Sequence, residues 1–229
     1  MSRSGGAKGG PVRRLTFWLG LLMLLAGFVL LSYVGWQFWG TNWTSHRQQQ
    51  AVTHDLEKEW SRPGASLKKQ PQFVPKGKAS ALIRIPAFGR KYVVPVLEGT
   101  STNVLARGYG HFGETAHPGQ IGNYALAAHR VTHGEPLRRM PELRPGDKVI
   151  VETVSATYTY RLDTNPNRLI VPFTGTWVLE TDPKNPDKGG VQPAQRAGQR
   201  LITLTTCSEL FHTDNRMIAF GHLVKATSK

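Results

Sequence analysis

Hydrophobic positions are spread unevenly along the chain. From Leu15 to Ser45 there is no Asp, Glu, Lys or Arg, and Leu15–Trp39 (LTFWLGLLMLLAGFVLLSYVGWQFW) is an almost unbroken apolar run of 25 residues. Crossing ~30 Å of hydrocarbon takes ~20 helical residues, so this run predicts one transmembrane helix with some tilt. Trp18 lies near one end, and Tyr33, Trp36, Trp39 and Trp43 crowd the other, the distribution of interfacial aromatic belts. The run exceeds the ~7–15 apolar residues of a cleaved secretory signal, and bulky residues follow it where a small-x-small site would be needed. These features favour an uncleaved anchor.

The pattern then changes twice. Residues 40–80 read as an extracellular stalk: Val52, Leu56 and Trp60 recur at helical spacing within His46–Trp60, Pro63-Gly64 breaks it, and the basic, Pro-interrupted SLKKQPQFVPKGKAS reads as a flexible tether. From Ala81 the chain becomes a series of short β-type runs: 81–86, 91–99, 121–129, 147–154, 156–163, 167–171, 176–181, 200–207 and 215–224. Their spacing and their Val, Ile, Thr and Tyr content predict an all-β barrel or sandwich. Thr100–Arg107, with Ser101 as its cap, and Glu135–Leu143 are short-helix candidates. The expected organisation is a basic tail (1–14), a transmembrane anchor (15–39), the stalk (40–80), a β-domain (81–225) and a short tail (226–229). The Pro/Gly-rich loop Asp182–Gln199 is long enough to carry function.

Charge orients this arrangement. Of 29 Lys and Arg, four (Arg3, Lys8, Arg13 and Arg14) precede the apolar run, while all 15 acids follow it, and the net charge is +14. Basic residues flanking the first apolar helix keep that end in the cytoplasm, which predicts a single-pass cell-membrane protein with its β-domain outside. A basic ectodomain suits an anionic surface such as lipid headgroups or acidic wall polymers, and that location excludes nucleic acid as a partner. A single cysteine excludes an intramolecular disulfide, and the chain lacks a P-loop, a dinucleotide-binding glycine fingerprint and paired Cys-x-x-Cys ligands. No cofactor and no metal are expected.

Cys207 ends the strand-like run RLITLTTC just before the polar segment SELFHTDN. On residue type alone, a buried structural cysteine and a reactive thiol stand as equals. The eight residues 208–215 join two strand-like runs, and antiparallel pairing would place Cys207 opposite Arg216. A guanidinium there favours thiolate and can hold an oxyanion. A cysteine nucleophile needs a proton-transfer partner, and of eight histidines His129 terminates the apolar run YALAA, which aims it from a strand end into a cleft. His129-x-x-x-His133 resembles a zinc pair, but it lacks an intervening acid and a third ligand.

TLTTC at Thr203–Cys207, NRMIAFGHL at Asn215–Leu223 and NYALAAHR at Asn123–Arg130 together resemble a sortase, and IPAFGRKYVVPVLEGTS with GHFGETAHPGQIGNYALAAHR is most similar to the class E sortases of actinobacteria. The resemblance covers about residues 81–225. It implies an eight-stranded β-barrel with short helices, preceded by one N-terminal transmembrane helix. It also implies cleavage of an LPxTG- or LAxTG-type sorting signal between Thr and Gly through a thioacyl-enzyme, with transfer of the Thr carboxyl to an amine. The implied partners are exported proteins with C-terminal sorting signals and an amine of a peptidoglycan precursor or cross-bridge. The implied catalytic residues are Cys207 as nucleophile, His129 as acid/base and Arg216 as oxyanion or substrate-backbone contact. Thr206 and Phe112 are the implied substrate-side residues. Phe112 stands where class E members often carry tyrosine, a position linked to preference for Ala at the signal's second residue. Two other readings remain: another Cys/His wall transpeptidase or peptidase, and a non-catalytic wall- or partner-binding β-domain.

Overall fold

A computed structural model describes residues 11–36, 40–65, 74–207 and 214–229. The basic tail before residue 11, the end of the apolar run at 37–39, residues 66–73 of the expected tether and residues 208–213 of the Cys–Arg connection lie outside the described residues. The chain divides into two units, Met1–Gly40 and Thr41–Lys229.

In the first unit, α1 spans Pro11–Gly35. It begins four residues before the predicted run, because Pro11 suits a first helical turn, where its missing N–H is no loss. Arg13–Gly35 is long and apolar enough to cross a membrane, and none of its most apolar stretch is buried in the protein.

The second unit is a closed barrel with a helix against it. Its strands are β1 (Ala79–Arg84), β2 (Val94–Glu98), β3 (Tyr109–His111), β4 (Gly122–Ala127), β5 (Lys148–Glu152), β6 (Ala156–Leu162), β7 (Ile170–Pro172), β8 (Arg200–Cys207) and β9 (Asn215–Ser228). Hydrogen bonding runs β6-β5-β1-β2-β3-β4-β8-β9, and β9 pairs back onto β6, so eight strands close on themselves. The three-residue β7 pairs with the start of β9 outside this ring. Most pairings are antiparallel, but β2–β3 and β4–β8 are parallel. Closure removes the sheet edges that would otherwise invite association.

The inward positions of the ring form one core that includes Ile83, Val96, Tyr109, Tyr124, Leu126, Val151, Tyr160, Ile202, Leu204 and Ala219. Outside the ring, Leu169, Val171, Val178, Ile218 and Phe220 form a second cluster under β7. The predicted strand at 176–181 is instead a 3-10 helix, Thr176–Leu179. Val178 is buried in the second cluster, and the carbonyls of Val178 and Glu180 accept from Asn123 Nδ2 at 2.9 and 3.1 Å, so a side chain supplies what a ladder would have. The predicted helices shrink to α3 (Thr102–Leu105), whose N-cap Ser101 makes no side-chain cap bond, and to a 3-10 turn at Met140–Glu142.

α2 spans Thr41–Trp60, and Ser45, Gln49, Thr53 and Leu56 on one face of it are buried. That spacing of three and four residues is the face a helix turns to a packing partner.

Candidate active site

Strand alternation puts the chemistry on the outer surface of the barrel. On β8, Ile202 and Leu204 enter the core, so Thr203, Thr205 and Cys207 take the opposite face. On β9, Met217 and Ala219 enter the core, leaving Arg216 and Ile218 outside. On β4, Tyr124, Leu126 and then Ala128 face the core, and the same alternation turns His129 outward.

Register brings the three together. Cys207 lies directly opposite Arg216 in the antiparallel β8–β9 ladder, where facing Cα atoms are ~4.5–5.5 Å apart and side chains share a face. β4 runs parallel to β8 with Ala127 beside Thr205, and the Ala128 N–H donates to the Thr205 carbonyl at 3.1 Å. His129 therefore leaves the sheet beside Cys207. Cys207, His129, Arg216, Thr206 and Phe112 all line one groove of about 410 Å³. Val171, Phe173 and Val178 wall it on the β7 side. The Asp182–Gln199 loop contributes no lining residue; it is bound up in its own contacts, such as Asn185 Nδ2 to the Val191 carbonyl at 3.0 Å.

Each side chain is held locally. Thr206 is buried, and its hydroxyl donates to the Ala128 carbonyl at 2.7 Å, tying the strand before Cys207 to the residue before His129. Arg130 Nη1 donates to the Cys207 carbonyl at 3.3 Å. Arg216 Nη1 donates to the Asn215 carbonyl at 3.0 Å, and its guanidinium lies 4.9 Å from the Phe173 ring centroid. Phe112 is half-buried, and its N–H donates to the Ala125 carbonyl at 3.1 Å. The neighbouring His111 is buried, bonded through Nδ1 to Glu98 at 2.8 Å, and its Nε2–H donates to the Ala116 carbonyl at 3.1 Å.

The free thiol of Cys207 is half-buried. Burial, and secondarily the charge of a neighbouring His133, pushes His129 down to about 4, so its imidazole is neutral at pH 7. His129 Nε2 is buried without a hydrogen-bond partner among the described residues. An unsatisfied buried nitrogen is costly unless something occupies it during function. His129 and His133 do not splay around a metal; their rings stack at 4.8 Å and 25°. Among the described residues there is no cluster of three metal-binding side chains.

Three contributors escaped sequence reasoning. Arg130 stands in the NYALAAHR segment, where its cation next to the strand end was a usable signal. Phe173 is an apolar residue 69 % exposed beside Arg216. His133 signalled only a discounted zinc pair.

The structure thus brings an outward-facing cysteine, histidine and arginine together at adjoining strand ends of a closed barrel. The sequence matches the sortase domain family over residues 83–224, and the chain belongs to the sortase family, whose members are cysteine transpeptidases. It is 36 % identical over 217 residues to Sortase SrtE1 of Streptomyces coelicolor, covering 90 % of this chain and 56 % of that protein, so it spans little more than half of that relative's length. The structure of sortase E from Streptomyces avermitilis matches with a TM-score of 0.58 and 37 % identity, over 68 % of this chain and 93 % of that one. The structure of Sortase E1 from Streptomyces coelicolor with a tripeptide in the active site matches with a TM-score of 0.55 and 34 % identity, over 66 % and 91 % of the two chains. These similarities support the expected class E likeness.

Proposed function

We propose that this protein is a membrane-anchored cysteine transpeptidase that cleaves an LPxTG- or LAxTG-type sorting signal between Thr and Gly and joins the Thr carboxyl to a cell-wall amine. The observation that carries the reading is the convergence of Cys207, His129 and Arg216 on one outward-facing groove. A related structure holding a tripeptide in its active site supports a peptide as occupant.

The geometry suggests the following sequence. Neutral His129 takes the Cys207 proton as the sulfur attacks the Thr carbonyl. Charge develops on the carbonyl oxygen, and the Arg216 guanidinium, opposite the sulfur in the ladder, stabilises it. The C–N bond breaks as His129 returns its proton to the departing glycine amine, leaving a thioester on Cys207. An incoming amine then attacks the thioester carbonyl and loses a proton to His129. The thiolate leaves, and that proton restores the thiol. Thr206 and Arg130 keep the Cys207 and His129 backbones in register throughout. Phe112 presents an apolar wall without a hydroxyl to the incoming peptide.

α1, with Arg13 and Arg14 in its first turn, serves as a single-pass anchor with the N-terminus in the cytoplasm and the barrel outside, facing exported proteins and wall precursors. The test is cleavage of paired reporter peptides with Pro or Ala at the second position. Wild-type protein cleaves between Thr and Gly and leaves a thioester mass on Cys207. Undiminished cleavage by Cys207→Ala would refute the reading.

A further inference from the structure

The turn that follows His129 has an unusual backbone. His133, Gly134 and Glu135 take φ of 56°, 79° and 47°, three left-handed residues in succession. His133 and Glu135 are the only non-glycine residues with positive φ among those described. Side chains with a Cβ rarely adopt this conformation, and such strain persists only where surrounding contacts over-determine it.

Those contacts come from α2. Asn42 and Gln49 lie two turns apart, on one face of the helix. Asn42 Oδ1 accepts from the Gly134 N–H at 2.9 Å, and its Nδ2 donates to the Glu135 carboxylate. Gln49 Nε2 donates to the His133 carbonyl at 3.3 Å. A Cβ on Gly134 would stand 2.4 Å from Gln49 Nε2, so a side chain there would displace the Gln49 amide, and φ of 79° favours glycine as well. Within the turn, the Glu135 N–H donates to the Thr132 carbonyl at 3.2 Å, and Thr132 Oγ1 bonds His133 Nδ1 at 2.9 Å. This strained turn lays the His133 ring on that of His129, with centroids 4.8 Å apart and planes within 25°.

We propose that His133 is a positioning residue for His129, and that α2 is the clamp, acting through Asn42 and Gln49, that presents it. The proposal rests on the assignment of His129 as the acid/base. The stack fixes the imidazole plane, so that proton transfer is aimed along the groove rather than lost to ring rotation. It also opposes a second positive charge, in the same direction as the depressed affinity of His129 for protons. The other titratable or charged groups around the pair are Cys207 on β8, Arg216 on β9, Arg130 on its own loop and, at the end of the turn, the Glu135 carboxylate, which Asn42 and Arg138 both engage.

The test uses the full chain in detergent, with sorting-peptide cleavage measured from pH 4 to 9 and His129 followed by nitrogen-15 NMR. His133→Ala lowers kcat about tenfold, one part of the ~10²–10⁴-fold worth of a positioned acid–base group. It changes KM less than about twofold and moves the His129 titration upward. His133→Phe restores the stacked ring, and with it kcat, but retains the raised titration because no second imidazolium can form. The double variant Asn42→Ala/Gln49→Ala lowers kcat as His133→Ala does, and combining the two adds nothing further, as expected of one coupled unit. Thermal unfolding of each variant separates misfolding from misplacement, and His133→Phe carries the test if His133→Ala does not fold. Wild-type kcat and an unchanged His129 titration in both His133 variants would overturn the proposal. Retained activity in Cys207→Ala would instead overturn the reading beneath it.

Discussion

Cys207 and Arg216 face each other across the antiparallel β8–β9 ladder, on the outer side of the barrel. This pairing sets the two side chains at directly opposed strand positions on one face. Arg216→Lys keeps the charge but loses the planar fork, so it should lower kcat/KM by about 10²–10³-fold, the worth of one oxyanion donor. Steady-state cleavage of a sorting peptide checks this, and near-normal turnover removes Arg216 from the mechanism.

The Thr206 hydroxyl joins β8 to the residue before His129. Thr206→Val leaves the buried Ala128 carbonyl without its donor and should cost about 1–3 kcal/mol of stability. Thr206→Ser keeps the hydroxyl and should lie close to wild type. Urea unfolding of the pair measures the difference, and equal midpoints would show that the bond contributes nothing.

His129 fixes the sign of an acid effect. Its folded-state pKa of about 4 lies below the ordinary value of 6.5, so the unfolded chain binds the additional proton between those values. Stability from this group is complete above about pH 6.5 and declines as pH falls towards 4, by up to about 3 kcal/mol. Wild type should therefore lose more stability between pH 7 and 4 than His129→Gln does, as read from denaturant midpoints. Parallel pH dependences in the two proteins would contradict it.

Phe173 is exposed, yet it lies 4.9 Å beneath the Arg216 guanidinium. A cation–π contact at an exposed site is worth ~0.5–1 kcal/mol, so Phe173→Ala should lower kcat/KM by about two- to fivefold, and Phe173→Trp should not. Equal rates across the three proteins would show that Phe173 holds nothing in place.

Much of this site was legible from local pattern. Alternation in TLTTC and NRMIAF puts Cys207 and Arg216 on matching faces, and the short connection between those runs implies the register found in the ladder. His129 was legible as the polar end of an apolar strand, although β4 itself stops at Ala127. The 176–181 run misled because hydrophobicity marks burial without saying which backbone will satisfy it. Val178 is buried as expected, but its carbonyl is satisfied by the Asn123 side chain rather than by a strand ladder. Phe173 was illegible because an exposed aromatic next to a proline looks like any loop residue.

Short-range order was therefore written in the chain: an apolar helix long enough for a membrane, the period of the strands and a single thiol at a strand end. These depend on neighbours within a few positions, where periodicity reports directly on which face is dry. Folding in three dimensions supplied the rest. Ala128 and Thr206 are 78 positions apart and meet only because β4 and β8 lie parallel within a closed ring. Likewise, Gly134 allows a left-handed turn after His133, but Asn42 and Gln49, which brace that turn, lie on a helix some ninety residues upstream. Periodicity carries no record of such distant partners; only the packed fold decides them.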